Sequence, residues 1–367
     1  MSVITSRPVL RWLVPVAAAA TVIGGGAAIG TFAAEAEPAL PPRTAAQLLV
    51  DLQTSQLEGL SGTVVQRADL GLPPIAGLAA NSSDLAALVT GTHTLRVWYS
   101  GPERQRVALL DTLGERDLIH DGRDVWTWDS RTNTATHRTL DAETAKGIHE
   151  APELPVTPQE AADRALAAVD ESTAVSVGRA ARVAGRDAYE LVLEPRDQAS
   201  LVHQLRIAID AREHVPLRFE VFADGSDQPA FEVAFTQIDF RRPDADQFTF
   251  NPPPGVTVKE ETADRPAAGE RRPDATTRAA ERPQVRTVGT GWTTVLEARV
   301  GDGTPTSAKG AADSEFAGVL GALPAVSGDW GSGRLLTGKL FSVLLTDDGR
   351  VLAGAVTPER LYEVARG

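Results

Sequence analysis

The chain has 367 residues, a formal net charge of -13 and a sequence pI near 5.0. That length exceeds what one hydrophobic core normally organises, so one large and one small domain are expected. The acidic balance excludes nucleic acid as a partner, because phosphate backbones are bound by clustered Lys and Arg, and the only lysines are Lys146, Lys259, Lys309 and Lys339. With no cysteine in the chain, disulfides, thiolate nucleophiles, zinc-thiolate sites and an acylated cysteine anchor are ruled out. His93, His120, His137, His149, His203 and His214 show no paired ligand spacing, so neither a metal nor another cofactor is expected.

Arg7 and Arg11 precede an uncharged stretch from Trp12 to Ala34, and Glu35 and Glu37 follow it. Positive charge before such a stretch and negative charge after it place the start in the cytoplasm and the rest outside. Residues 1–36 are therefore expected to be a signal peptide or an N-terminal transmembrane anchor. Ala34-Glu35-Ala36 offers a small-x-small cleavage site, while the length of the stretch suits a span.

After a Pro-rich segment, Thr44 and Gln47 form a capping-box pair ahead of Ala45, Leu48, Leu49 and Leu52 at helical spacing. From Ser61 the spacing changes to that of strands, at residues 63–66, 93–99, 104–110, 116–120 and 123–129, with Gly101-Pro102, Gly114 and Asp121-Gly122 as turns. Short runs joined by short turns imply an antiparallel meander. The interval from Leu70 to Gly91 is too apolar for a plain surface loop. Within it Ser82-Ser83 cap a turn carrying Leu85 and Leu88, which reads either as a lid over one sheet face or as a helix plugging the core.

Thr157-Pro158-Gln159-Glu160 opens a second helix through Ala161, Ala162, Leu166 and Val169, and strands resume at 174–177, 189–193, 204–210, 217–222 and 230–240. The order describes an α+β fold: one large curved antiparallel sheet, spanning residues 40–258, with helices on one side. Residues 259–283 are charged, rich in Pro and Ala and free of aromatics, the composition of a disordered linker. Residues 284–367 form the smaller α+β, β-rich domain. It is expected to hold a strand at 292–300, a short helix near Phe316 to Leu320, a hairpin from Leu335 to Val356 turning at Asp347-Asp348-Gly349, and a last helix from Thr357-Pro358-Glu359.

Two motifs carry a resemblance. Asp121-Gly122-Arg123-Asp124-Val125-Trp126-Thr127-Trp128-Asp129, preceded by the Gly101-Pro102 turn, resembles a strand pair of the LolA-like lipoprotein carriers. Phe248-Thr249-Phe250-Asn251-Pro252-Pro253-Pro254-Gly255-Val256 resembles their terminal strand. The likeness covers about residues 40–260, that of a membrane-anchored, actinobacterial-type member. It implies a half-open barrel whose concave apolar face, covered by helices, holds the acyl chain of a lipid or lipoprotein. Val107, Leu109, Trp126, Trp128, Leu85 and Leu88 are the residues expected to line that face; the alternative is a filled core. Gram-negative carriers have Arg directly before the Pro of the turn, and here Gly101 stands there, which departs from their handover mechanism. A LolA-like domain followed by a smaller β-rich domain is also similar to the RseB/MucB proteins, implying a membrane-protein partner such as an anti-sigma factor. Catalysis is not expected: no nucleophile elbow or P-loop occurs, and the glycines at 289–291 and 331–333 lack the strand and helix context of a phosphate site.

Overall fold

The computed structural model describes residues 38–55, 57–72, 90–111, 114–140, 157–167, 169–261, 285–299 and 323–367. The expected export segment, Leu85, Leu88 and the expected helix near Phe316 lie outside the described residues.

Thirteen strands form the large sheet: β1 (Leu60–Asp69), β2 (Thr90–Tyr99), β3 (Arg104–Asp111), β4 (Gly114–Asp121), β5 (Asp124–Asp129), β6 (Thr134–Thr139), β7 (Thr173–Val177), β8 (Ala181–Val183), β9 (Arg186–Pro195), β10 (Val202–Asp210), β11 (Pro216–Ala223), β12 (Pro229–Asp239) and β13 (Thr257–Glu261). Their order is β13-β6-β5-β4-β3-β2-β1-β12-β11-β10-β9-β7, with β8 also on β9. The sheet is curved and its two ends do not close into a barrel. Two antiparallel meanders, β1 to β6 and β9 to β12, are thus joined where β1 pairs with β12. The exception to antiparallel pairing is β13, which runs parallel to β6. Lys259–Glu261, expected in the connecting segment, belong to this edge strand.

Helix α1 (Ala45–Thr54) starts at the capping box the sequence predicts: Gln47 N donates to Thr44 Oγ1 at 3.2 Å and Thr44 N to Gln47 Oε1 at 2.9 Å. Helix α2 (Pro158–Ala167) is capped by Thr157, whose hydroxyl accepts from Glu160 N at 3.2 Å. Leu48 and Leu52 of α1 and Ala161 and Ala162 of α2 share one buried cluster with Leu191, Ile207, Leu217 and Val233 of the sheet. The helices therefore lie on one face, here called the inner face.

The small sheet has the order β14 (Val285–Val288), β15 (Val295–Arg299), β19 (Arg350–Gly354), β18 (Ser342–Thr346), β17 (Gly331–Thr337), β16 (Ala325–Gly328). Helix α3 (Pro358–Ala365) buries Leu361 and Val364 against Val295, Leu344 and Leu352. The turn at Asp347-Asp348-Gly349 is as expected, with Gly349 at φ +83°. The hairpin is shorter than the periodicity suggested: Gly338 N donates to Phe341 O at 2.9 Å, so Leu335 belongs to the preceding strand β17. Ala199–Leu201 bonds along Ala355–Thr357, and Trp292 Nε1 donates to Thr173 Oγ1 at 2.8 Å, so the small sheet packs directly on the large one.

Candidate functional site: the half-open inner face

Cross-strand partners in a sheet share a face. Val64 pairs with Leu95, Leu95 with Leu109, Val97 with Val107, and Val107 with Leu118. On the other side of β1, Val64 pairs with Phe235, Val233 with Phe219, Phe219 with Ile207, and Ile207 with Leu191. One apolar face therefore runs without a break from β9 to β4.

The cover over that face is uneven. Along β9 to β12 the side chains are sealed under α1 and α2, and Leu191, Ile207, Leu217 and Val233 are 0% exposed. Along β3 and β4, Val107 and Leu109 are only half-buried, and Leu118 is 45% exposed. Leu109 pairs with Arg116, which pairs with Asp129, and this ion pair (Arg116 Nε to Asp129 Oδ2, 2.8 Å) forms a polar rim beyond the apolar strip. The strip offers dispersion and apolar contact between two polar borders, Arg116 and Asp129 at one end and the Gln105–His120 pair at the other, a surface able to lie against an alkyl chain. Among the described residues no group of three or more His, Asp and Glu is placed to hold a metal ion.

The structure brings Val107 and Leu109 together on the inner face but puts Trp126 and Trp128 on the opposite one. Register is the reason: Trp126 pairs with Ile119 and Trp128 with Asp117, whereas Val107 pairs with Leu118, one residue out of phase. The two indoles lie beneath Phe250, with ring centroids 5.1 and 6.2 Å away. Trp126 also stacks on His137 at 4.2 Å. Arg106 bridges this outer face, pairing with the buried Asp117 at 2.9 Å and donating to Gln247 O at 3.4 Å. The two sequence motifs are thus two halves of one packing contact: the Phe248–Val256 segment straps the outer face above the tryptophans. Trp126 and Trp128 are half-buried beneath that segment and do not line the inner strip. Leu118 is the inner-face residue that periodicity missed, because Asp117, Leu118, Ile119 and His120 do not alternate cleanly in burial.

Gly101, directly before Pro102, lies in the turn that leads into β3. Gly101 has φ +79°, and Arg104 N donates to its carbonyl at 3.3 Å. A side chain at that backbone conformation is strained.

The outer face under the sealed half is ionic. Burial pushes the Glu220 carboxyl up to about 7; Arg218, 3.1 Å away, opposes the shift, and the nearby carboxylates of Glu232 and Glu190 add to it. A polar hollow of about 610 Å³ borders it, lined by Arg206, Phe222 and the turn at Gly225–Pro229.

Residues 89–256, just under half of the chain, match the MucB/RseB N-terminal domain family. No curated protein matches significantly. Among solved structures, the Pseudomonas aeruginosa MucA/MucB complex aligns at 17% identity over 88% of this chain and 96% of that one, with a TM-score of 0.41. An uncharacterized conserved protein from Thermus thermophilus aligns at 15% identity over 59% and 99%, TM-score 0.34. A LolA superfamily protein from Nitrosomonas europaea aligns at 12% identity over 57% and 99%, TM-score 0.23. Residues 89–256, which include β2 to β12 of the large sheet, are thus similar to the MucB/RseB N-terminal domain.

Proposed function

We propose that the protein works outside the cytoplasm as a lipid- or lipoprotein-binding protein that holds an acyl chain against Val107, Leu109 and Leu118. The observation that supports this most is the continuity of the apolar inner face from a sealed core to a half-exposed strip on β3 and β4. Covering such a strip gains about 25 cal/mol per Å², so an alkyl chain that hides roughly 200 Å² contributes about 5 kcal/mol before association costs. The extracytoplasmic setting rests on the charge asymmetry around residues 12–34, and the division into parts at 259–283 belongs to the same proposal. Among the described residues no helix is long and apolar enough to cross a membrane, and the expected anchor lies outside them.

The test is uptake of a fluorescent fatty-acyl probe by the purified protein. Leu109→Glu puts a charge into a half-buried position, so it should weaken uptake while the protein still melts cooperatively. A folded wild-type protein that takes up no probe would contradict the proposal.

A second reading is a regulator with a membrane-protein partner such as an anti-sigma factor. The match to the MucB/RseB N-terminal domain, together with a second sheet docked on the first, favours it. Capture of a purified membrane-protein segment by protein that binds no acyl probe would select this reading over the first.

A further inference from the structure

The edge strand β13 is exposed at all five residues, so no buried apolar side chain holds it to the sheet. Its start is pinned by Asn133, whose Nδ2 donates to Gly255 O at 2.8 Å and whose carbonyl accepts from Thr257 N at 3.0 Å. Farther along, the parallel register sets Glu260 opposite His137. The His137 ring lies between two carboxylates, with Nδ1 2.8 Å from Glu260 Oε2 and Nε2 2.9 Å from Asp124 Oδ1. Ionised carboxylates only accept hydrogen bonds, so both contacts are satisfied only when both ring nitrogens carry protons. A neutral imidazole has one N–H and leaves the other carboxylate facing a lone pair. The ring is also held in orientation by its stack on Trp126, at an interplanar angle of 18°.

We propose that His137 is a proton-operated latch: charged, it holds β13 on the edge of β6, and neutral, it lets the strand loosen. The charged groups facing the ring are Asp124 from β5 and Glu260 from β13, both negative. Lys259 and Glu261 alternate with Glu260, and Arg138 with His137, toward the other face of the pleat. The Thr139 hydroxyl also points at Asp124 Oδ1, at 3.5 Å. Burial lowers the proton affinity of His137, but the hydrogen bonds and charges of Asp124 and Glu260 outweigh it, so its pKa lies above the ordinary value. The latch is therefore fully set below the ordinary histidine pKa, about 6.5, and is lost as pH rises through the raised value. It governs the free edge of β6 and the point at which the chain leaves the large sheet.

Hydrogen exchange of the whole protein, corrected for chemical exchange rates, tests this at about pH 5.5 and about pH 8.5, on either side of the histidine range. Protection of residues 257–261 should fall about threefold to fivefold on going to the higher pH, the bias an exposed ion pair can exert. In Glu260→Gln the side-chain amide can either accept from an N–H or donate to a bare ring nitrogen, so protection should become insensitive to pH. Equal wild-type protection at both pH values overturns the latch, and so does a Glu260→Gln protein that keeps the wild-type pH dependence.

Discussion

Apolar side chains line the inner face of the large sheet from β9 to β4, yet its two halves differ. Leu191, Ile207, Leu217 and Val233 are sealed at 0% exposure under two helices, whereas Leu118 is 45% exposed beside half-buried Val107 and Leu109. Both halves are apolar, so composition does not separate them. What separates them is cover, and burial that folding leaves incomplete is burial that a ligand can complete.

The largest effect is expected where β10 of the sealed half ends: Asp210, 1% exposed, accepts from Arg186 and from Arg212 N and Glu213 N at 2.9 and 2.8 Å. Burial alone would raise its pKa, but these bonds hold the carboxyl below its usual range. Asp210→Ala should cost about 3–5 kcal/mol in urea unfolding, because it removes the buried acceptor that Arg186 and two backbone N–H groups share. In the wild type this contribution is complete above the unfolded carboxylate pKa, about 3.9, and disappears as pH falls through the depressed folded value.

Next in size, Ile207→Ala should cost about 2–5 kcal/mol, whereas Leu118→Ala should stay within about 0.5 kcal/mol. Equal costs at the two positions would break the distinction between sealed and half-open halves. Glu220→Gln sharpens it from the outer face. A carboxyl raised to about 7 by burial keeps its proton in the folded state where the unfolded chain has lost it. Wild-type stability should therefore decline between about pH 4.5 and 7. The glutamine variant should be about 1–3 kcal/mol more stable than wild type at about pH 8 and no more stable at about pH 4, as read by denaturation at each pH. Thr44→Ala, which removes the α1 cap, should cost about 1 kcal/mol without changing acyl-probe uptake.

Local chemistry was legible in the sequence. The caps at Thr44 and Thr157 and the turn at Gly349 each depend on a few adjacent residues, and each forms as its residues require. Pairing across the sheet was less legible. Alternation shows that Trp126 and Trp128 share a face, but only register relates that face to Val107. The tight turns carried that register: Asp121 pairs with Asp124 and Asp111 with Gly114, and counting inward from both sets Trp126 against Ile119 and Val107 against Leu118. The parallel placement of β13 had no local signal, since its partner strand β6 lies more than a hundred residues earlier. Its composition, with Lys259, Glu260 and Glu261 in succession, resembles the charged segment after it, which is common for an edge strand.

Binding of an acyl chain in the half-open inner strip is read out by photo-crosslinking with a fatty acid carrying a diazirine on its alkyl chain, followed by peptide mapping. Adducts are expected on the β3 and β4 peptides at Val107, Leu109 and Leu118, competed away by unlabelled fatty acid. Competable adducts clustered instead around Trp126, Trp128 and Phe250, or no competable adduct at all, would contradict binding in the strip.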